Sequence, residues 1–336
     1  MAQQRGKGRP LVRWLRAAVQ WSAFALCAWG GVDLYRFTLA VEGGHVPSFA
    51  KPLSPEGFLP IGSLMSFKLW VTTGVIDTVH PAGLMLFTTA LALSLLLKKS
   101  FCGWICPVGT FSELLGTTGR RVAGRLLTPP RWLDVPLRSL KYVLLGLFLW
   151  IVLVKMPAAG IRDWLHTDYW KVADLKMLGF FRQPTALATG VLGSLAVLSL
   201  VTRNFWCRYL CPYGALLGLL SVGAVVKIQR KEEHCTHCHR CTKSCPALLP
   251  VERLERVRSP ECLGCLTCVS RCPAPGALDA TASRRWTVSP VLYAALVVVL
   301  FWGVITAARI TGHWEAGVST AEYQRIVPRL DSVSHP

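Results

Sequence analysis

The sequence predicts an all-α integral membrane bundle of about five transmembrane helices, into which a small cysteine-rich α+β module is inserted. Three observations carry this expectation. The 336 residues are 52% hydrophobic and only 16% charged, with a mean hydropathy of +0.41, too apolar for a soluble globular chain of this size. Five apolar runs approach the length a bilayer demands. Thirteen cysteines recur at regular spacing, which points to metal or redox chemistry. Disordered, collagen-like and coiled-coil architectures are excluded by the same figures, because 13 Trp, 13 Phe and long Leu/Val runs must be buried somewhere.

A span takes about 20 mainly apolar residues, and the candidate runs are Leu15–Leu39, His80–Leu97, Leu140–Lys155, Pro184–Val201 and Val288–Ala308. The first follows Arg5, Lys7, Arg9, Arg13 and Arg16 and lacks a small-residue cleavage site, so a retained anchor is expected rather than a cleaved signal peptide. With a cytoplasmic N-terminus, the inside segments 1–16, 98–141 and 203–287 hold 26 of the 37 Lys and Arg, as the positive-inside rule requires, and the C-terminus lies outside. This distribution accounts for the formal net charge of +19 and excludes nucleic acid as a partner, since neither a single basic helix nor an RNA-type aromatic motif collects the charge. Phe58–Val79 is apolar enough for a sixth span, but it abuts His80-Pro81 without a loop, and counting it would move Lys98 and Lys99 outside. An interfacial or re-entrant segment is expected there. Ile161–Phe181, with Trp164, Tyr169 and Trp170 among Asp and Lys residues, is expected to form a second interfacial helix on the outer face. Cys27, alone in the first run, is expected to be a packing residue.

An internal repeat organises the membrane part. Phe101-Cys102-Gly103-Trp104-Ile105-Cys106-Pro107-Val108-Gly109 matches Trp206-Cys207-Arg208-Tyr209-Leu210-Cys211-Pro212-Tyr213-Gly214 at an offset of 105 residues. Each copy follows an outside-to-inside span, so the repeats are parallel, related by an axis along the membrane normal, and the two C-x-x-x-C-P pairs should meet near the cytoplasmic face. Proline favours the first position of a helix, which puts Cys106 and Cys211 at the start of short interfacial helices, where unpaired N–H groups and the helix dipole favour a thiolate. Cys102, Cys106, Cys207 and Cys211 are therefore candidates for redox thiols or for an extra metal or cluster. The competing reading is that they are small core residues at two tight turns.

The strongest signal is Cys235-x2-Cys238-x2-Cys241-x3-Cys245-Pro246 followed by Cys262-x2-Cys265-x2-Cys268-x3-Cys272-Pro273. This is the bacterial ferredoxin run, twice: three closely spaced thiolates hold three corners of one cubane, and the fourth, beyond a turn, reaches the other cluster. It assigns Cys235, Cys238, Cys241 and Cys272 to one [4Fe–4S] cluster, and Cys262, Cys265, Cys268 and Cys245 to the second. Zinc sites and disulfides fit the spacing and the basic, cytoplasmic setting less well. His234, His237 and His239 surround the first cluster, as donors to its sulfurs or as solvated loop residues. Arg240, Lys243, Arg253, Arg256, Arg258 and Arg271 make the module basic, suited to anionic lipid headgroups or an acidic donor protein, though compliance with the positive-inside rule explains much of it. The chain thus divides into a membrane domain (1–228), a 2[4Fe–4S] ferredoxin-type domain (229–282), and a C-terminal transmembrane helix with an outer tail (283–336).

Asp77 and His80 stand at the outer end of the second span. An acid and an imidazole three residues apart beside a hydrophobic slot suit a quinol-oxidising site that takes protons as electrons leave. A helix N-cap and an interfacial histidine are the plain alternative. Asp163, His166 and Asp168 form a weaker second candidate.

Two C-x-x-x-C-P motifs after transmembrane helices, with a following double ferredoxin motif, resemble the NapH/NosR-type membrane polyferredoxin family, over most of the chain. The resemblance implies a bacterial inner-membrane protein with two cytoplasmic [4Fe–4S] clusters that passes electrons from quinol or a cytoplasmic donor toward a periplasmic or membrane oxidoreductase partner. It would be a redox subunit, a quinol dehydrogenase component, rather than a stand-alone enzyme. No domain precedes the first span as the flavin-binding domain does in NosR, and no C-x-x-C-H haem motif occurs, so the final acceptor is expected to be a partner. Two other classes compete: a metal-reducing or maturation factor for a metalloenzyme, with the C-x-x-x-C-P thiols on the metal, and a sensor whose membrane part mainly anchors.

Overall fold

The computed structural model describes residues 8–283, 286–330 and 332–334, with Gly8 to Pro10 described by their backbone alone; Arg5 and Lys7 of the basic flank lie outside the described residues. The chain condenses into two compact units. One comprises Met1–Phe24, Ala90–Leu145 and Gly193–Trp302, the other Ala25–Thr89, Gly146–Leu192 and Gly303–Pro336.

The helices follow the apolar runs, and their ends follow local chemistry. Helix α1 (Gly8–Glu42) covers the first run. Helix α2 (Pro60–Thr73) starts with proline at its first position and stops at Gly74, whose φ of 74° closes the last turn onto the Trp70 carbonyl. It has 14 residues, which is all the helix that the 58–79 stretch forms. Helix α3 (Pro81–Leu97) coincides with the second run and has 17 residues. After α4 (Pro107–Ala123) comes α5 (Arg131–Leu149), which widens into a π-helical turn over Trp150–Lys155. Three helices in all, Leu11–Glu42, Arg131–Lys155 and Pro290–Ile310, are long and apolar enough among the described residues to cross a membrane.

Two expectations change here. Ile161–Phe181 is not one interfacial helix but three: α6 (Ala158–Leu165), α7 (Asp168–Lys171) and α8 (Ala173–Arg182). Thr167 caps α7 by accepting from the Trp170 N–H, which starts a new helix where a continuous one would have to run on. The fourth run yields α9 (Ala186–Val201) of 16 residues, bent 82° from α8 across Gln183-Pro184-Thr185, so it reaches the length of a span only if the bent pair is counted as one. The proline has no N–H for the helical ladder and disfavours helix at Gln183 before it.

In the first unit, α10 (Pro212–Val222) leads into an antiparallel sheet in the order β1 (Val226–Arg230), β2 (Leu278–Ala282), β3 (Trp286–Val288), with Ile228 opposite Ala280 and Ala280 opposite Val288. Val226, Ile228, Leu278 and Ala280 bury one face, and Thr281 is buried on the other. Between β1 and β2 run the eight ferredoxin-type cysteines and two one-turn helices, α11 (Arg240–Ser244) and α12 (Thr267–Arg271). Helix α13 (Pro290–Ile310) follows the sheet directly. In the second unit, α14 (Thr320–Ile326) opens with a reciprocal capping box between Ser319 and Glu322 and docks Tyr323 and Ile326 against Leu34, Phe37 and Val41 of α1.

Candidate redox and proton-handling sites

The two C-x-x-x-C-P copies share one backbone. Phe101–Ile105 and Trp206–Leu210 each form a π-helical turn closed by a hydrogen bond from the following cysteine N–H, Cys106 to the Phe101 carbonyl and Cys211 to the Trp206 carbonyl. Such turns are rare and concentrate at functional positions. Cys106 and Cys211 are then the N-caps of α4 and α10, with Pro107 and Pro212 at the first helical position. The four thiols lie close enough to feel one another's charge. At Cys211 the expected thiolate activation does not follow: burial pushes its thiol up, as it does those of Cys102 and Cys207. At Cys211 burial outweighs even the Gly214 N–H that it accepts at 3.2 Å. A helix terminus contributes a fraction of a charge, whereas removing a thiolate from water costs several kcal/mol unless a cation replaces the water. Helix α4, at 17 residues, is also longer than the short helix expected.

The ferredoxin-type segment repeats its geometry as faithfully. His237 and Gly264, then His239 and Leu266, take left-handed φ values of 49°, 60°, 57° and 54° at matching motif positions. Successive αL residues turn backbone N–H groups inward, the arrangement that receives anionic sulfur. Cys245 and Cys272 end α11 and α12 with φ/ψ of −68°/118° and −71°/120°. One small apolar cavity is lined by Cys245 together with Cys262, Cys265 and Cys268, so the last cysteine of the first motif sits among the first three of the second. Four thiols at one cavity, with inward N–H groups, fit a [4Fe–4S] cluster and offer no nitrogen or oxygen set that would favour another metal. Burial, and after it the neighbouring thiols, push Cys245 up to about 12 and Cys268 well above the ordinary thiol range, so these sulfurs ionise only where a cation holds them. Cys238, exposed, is instead pulled down by the Arg240 N–H. His239 is exposed and sits 3.7 Å from Glu252.

Both C-x-x-x-C-P copies pack on that cavity's rim. Gly103 has no room for a side chain, since a Cβ would stand 2.6 Å from the Leu263 carbonyl oxygen, and Trp104 Nε1 donates to the Gly264 carbonyl at 3.0 Å. In the second copy, Arg208 Nη1 donates to the Ala247 carbonyl at 2.7 Å while its other nitrogens grip Asp134 at 2.8 Å each. Tyr209 donates to the same carboxylate at 2.7 Å. Lys141, fully buried, reaches both oxygens of Glu261, next to Cys262, at 2.7 and 2.8 Å. Lys98 donates to three carbonyls, and burial brings it down to about 8 against the charge of Cys262. None of these anchors announces itself in sequence beyond being a charge beside an apolar run.

In the second unit, Asp77 and His80 are both buried. Asp77 is not the N-cap of α3, which starts after His80. It accepts instead from the Val79 N–H at 2.8 Å and, through its other oxygen, from Ser66 at 2.7 Å and the Trp170 indole at 3.2 Å. His80 is no solvated interfacial residue either: Nε2 lies 2.7 Å from the Trp170 carbonyl, which fixes the proton there, and Nδ1 faces Glu56 Oε1 at 2.9 Å, close but poorly aligned. Sequence reasoning missed the rest of this network. Lys51 bridges Asp174 at 2.7 Å and Glu56 at 3.4 Å, and the Glu56, His80 and Asp174 ligand atoms all lie within 4.8 Å of one another. A metal ion would find Lys51 Nζ between the two carboxylates, so the ammonium is the cation of this site. Asp168 and His166 lie exposed, Asp168 paired with Arg325 and His166 bonded to the Arg162 carbonyl.

The 4Fe–4S binding domain family matches residues 79–125 and again 183–232, and the 4Fe–4S dicluster domain family matches 227–273. YccM of Escherichia coli (strain K12), named for electron transport, is 43% identical over 330 residues, 95% of this chain and 91% of its own. The regulatory protein NosR of Pseudomonas aeruginosa is 32% identical over 54% of this chain and 25% of its own, and the ferredoxin-type protein NapH of Escherichia coli (strain K12) is 29% identical over 62% and 70%. No solved structure matches the chain.

Proposed function

From the premise that this chain belongs to the membrane polyferredoxin family of YccM, NosR and NapH, we propose that it is a membrane-bound iron–sulfur electron-transfer subunit. It takes electrons from quinol, or from a cytoplasmic donor, and passes them to an oxidoreductase partner on the outer side of a bacterial inner membrane. The observation that carries the proposal is the single cavity shared by Cys245, Cys262, Cys265 and Cys268. These four hold one [4Fe–4S] cluster, and Cys235, Cys238, Cys241 and Cys272 hold the other by the mirrored motif. A bound cluster stores one electron at little structural change. The protein's own residues set its environment: inward N–H groups and the buried cations Lys98 and Lys141 favour added negative charge.

The quinol site of this proposal is the second unit's network, with Asp77 and His80. Trp170 and Ser66 hold Asp77, the Trp170 carbonyl keeps a proton on His80 Nε2, and Nδ1 is the atom at which a proton from an oxidised quinol is taken up beside Glu56. The C-x-x-x-C-P thiols, of which burial favours the protonated form at Cys102, Cys207 and Cys211, accept a further metal or cluster where a cation displaces their protons. The maturation-factor alternative rests on these same four thiols.

Iron and sulfide content with EPR of anaerobically purified protein, before and after a menaquinol analogue, tests the proposal. About eight irons, four for each cubane, reduced by quinol support it; more iron locates an extra cluster at the four thiols. Eight irons that ignore quinol refute the quinol branch.

A further inference from the structure

In the first unit a second, larger cavity of about 360 Å³ opens beside the proposed cluster cavity and shares Cys265 and Pro246 with it. It is lined by five arginines, Arg13 and Arg16 of α1, Arg120 of α4, Arg203 after α9, and Arg271 of α12; Glu113 is the single carboxylate among its described lining residues. Arg16 is committed: it is buried, donates to the Gly103 carbonyl at 3.0 Å and pairs with Glu113, which Gln20 also holds at 3.2 Å. That leaves Arg13, Arg120, Arg203 and Arg271 against what remains of one carboxylate, whose charge reaches Arg203. Arg203, half-buried, gives one N–H to the Cys245 carbonyl at 3.2 Å and lies within electrostatic reach of Arg120. Like charges gathered round a cavity at this density raise the free energy of the empty pocket and are relieved by an anion. The forked geometry of guanidinium matches phosphate oxygens bidentately.

We propose that this pocket binds a phosphate-bearing anion against the protein wall that carries Cys265. A neutral quinone ring would bring no negative charge to this arginine-rich lining. The phosphate could belong to an anionic phospholipid headgroup or to a soluble phosphorylated molecule, and one experiment separates the two. The full-length, cluster-loaded protein is placed in phosphatidylcholine nanodiscs with or without phosphatidylglycerol; retained phosphatidylglycerol is counted by native mass spectrometry, and pyrophosphate binding is measured by calorimetry in the discs lacking it. Wild type should retain one of the probes, and Arg120→Glu and Arg203→Gln should each weaken it by at least about fivefold, the effect of one arginine near an anionic surface. Arg253→Glu, an exposed charge of the module outside the pocket, should leave binding unchanged. Phosphatidylglycerol retention that pyrophosphate does not displace identifies the lipid source; pyrophosphate binding without lipid retention identifies the soluble one. The proposal is overturned if wild type holds neither probe, or if Arg253→Glu weakens binding as much as Arg120→Glu. Iron content checks the fold of each variant, and Arg120, being exposed, decides the matter should Arg203→Gln lose its clusters.

Discussion

Replacing Asp134 by Asn should loosen the second cluster's surroundings without touching a cysteine. The carboxylate takes two bonds from Arg208 at 2.8 Å and one from Tyr209 at 2.7 Å, and Arg138 adds a contact at 3.0 Å. The amide removes the charge and turns an N–H toward a buried guanidinium. Leaving one member of a buried pair uncompensated costs about 3–5 kcal/mol, much of it from the stranded charge. Arg208 also holds the Ala247 carbonyl, two residues past Cys245, so the destabilisation falls on the loop that completes the proposed cluster. If loss of iron to a chelator proceeds through local opening, that energy corresponds to about a 150- to 5,000-fold larger open population. The assay is the rate at which visible absorbance bleaches under anaerobic chelator, with Arg182→Gln as control. The exposed Arg182–Glu42 pair, at 2.8 Å, is worth less than about 1 kcal/mol. Wild-type bleaching in Asp134→Asn, or equal acceleration in the control, would refute the anchoring argument.

Three further outcomes are expected. Cys245→Ser should damage the EPR signal of the cluster built on Cys262, Cys265 and Cys268, and Cys272→Ser that built on Cys235, Cys238 and Cys241; damage confined to each cysteine's own motif would exclude cross-ligation. Asp77→Asn and His80→Gln should slow reduction by a menaquinol analogue while dithionite reduction stays intact, and equal loss with both reductants would mark the pair as structural. Burial alone would raise the Glu113 carboxyl, but Arg16 and Gln20 hold it below the ordinary carboxylate range. Its contribution is therefore present above the unfolded carboxyl's pKa and lost as pH falls through the depressed value. Protection against hydrogen exchange in the first turns of α1, taken relative to the intrinsic rate at each pH, should fall on acidification, and Glu113→Gln should show the lowered protection already at neutral pH.

Periodicity, spacing and composition made the apolar helices and the two ferredoxin-type motifs legible, because both depend on local order along the chain. Runs such as Leu15–Leu39 and Val288–Ala308 must be helical to satisfy their own backbones in lipid, and C-x2-C-x2-C-x3-C-P permits few foldings around a cubane. The proline after each C-x-x-x-C likewise marked a helix start, realised at Cys106 and Cys211. Wherever the outcome was a balance between distant groups, the sequence was silent or misleading. It suggested a reactive thiol at Cys211, at the start of α10, whereas burial, which only packing creates, outweighs the dipole there. It singled out Asp77 and His80 but not Lys51, Glu56 and Asp174, because a buried charge network joins residues up to 123 positions apart. It read the basic flanks as membrane orientation, and only the tertiary structure gathered Arg13, Arg120, Arg203 and Arg271 around one cavity. Covalent order fixes which residues can form a helix or wrap a cluster; the field at a charged group depends on what folding places within a few ångströms of it, and linear spacing does not encode that.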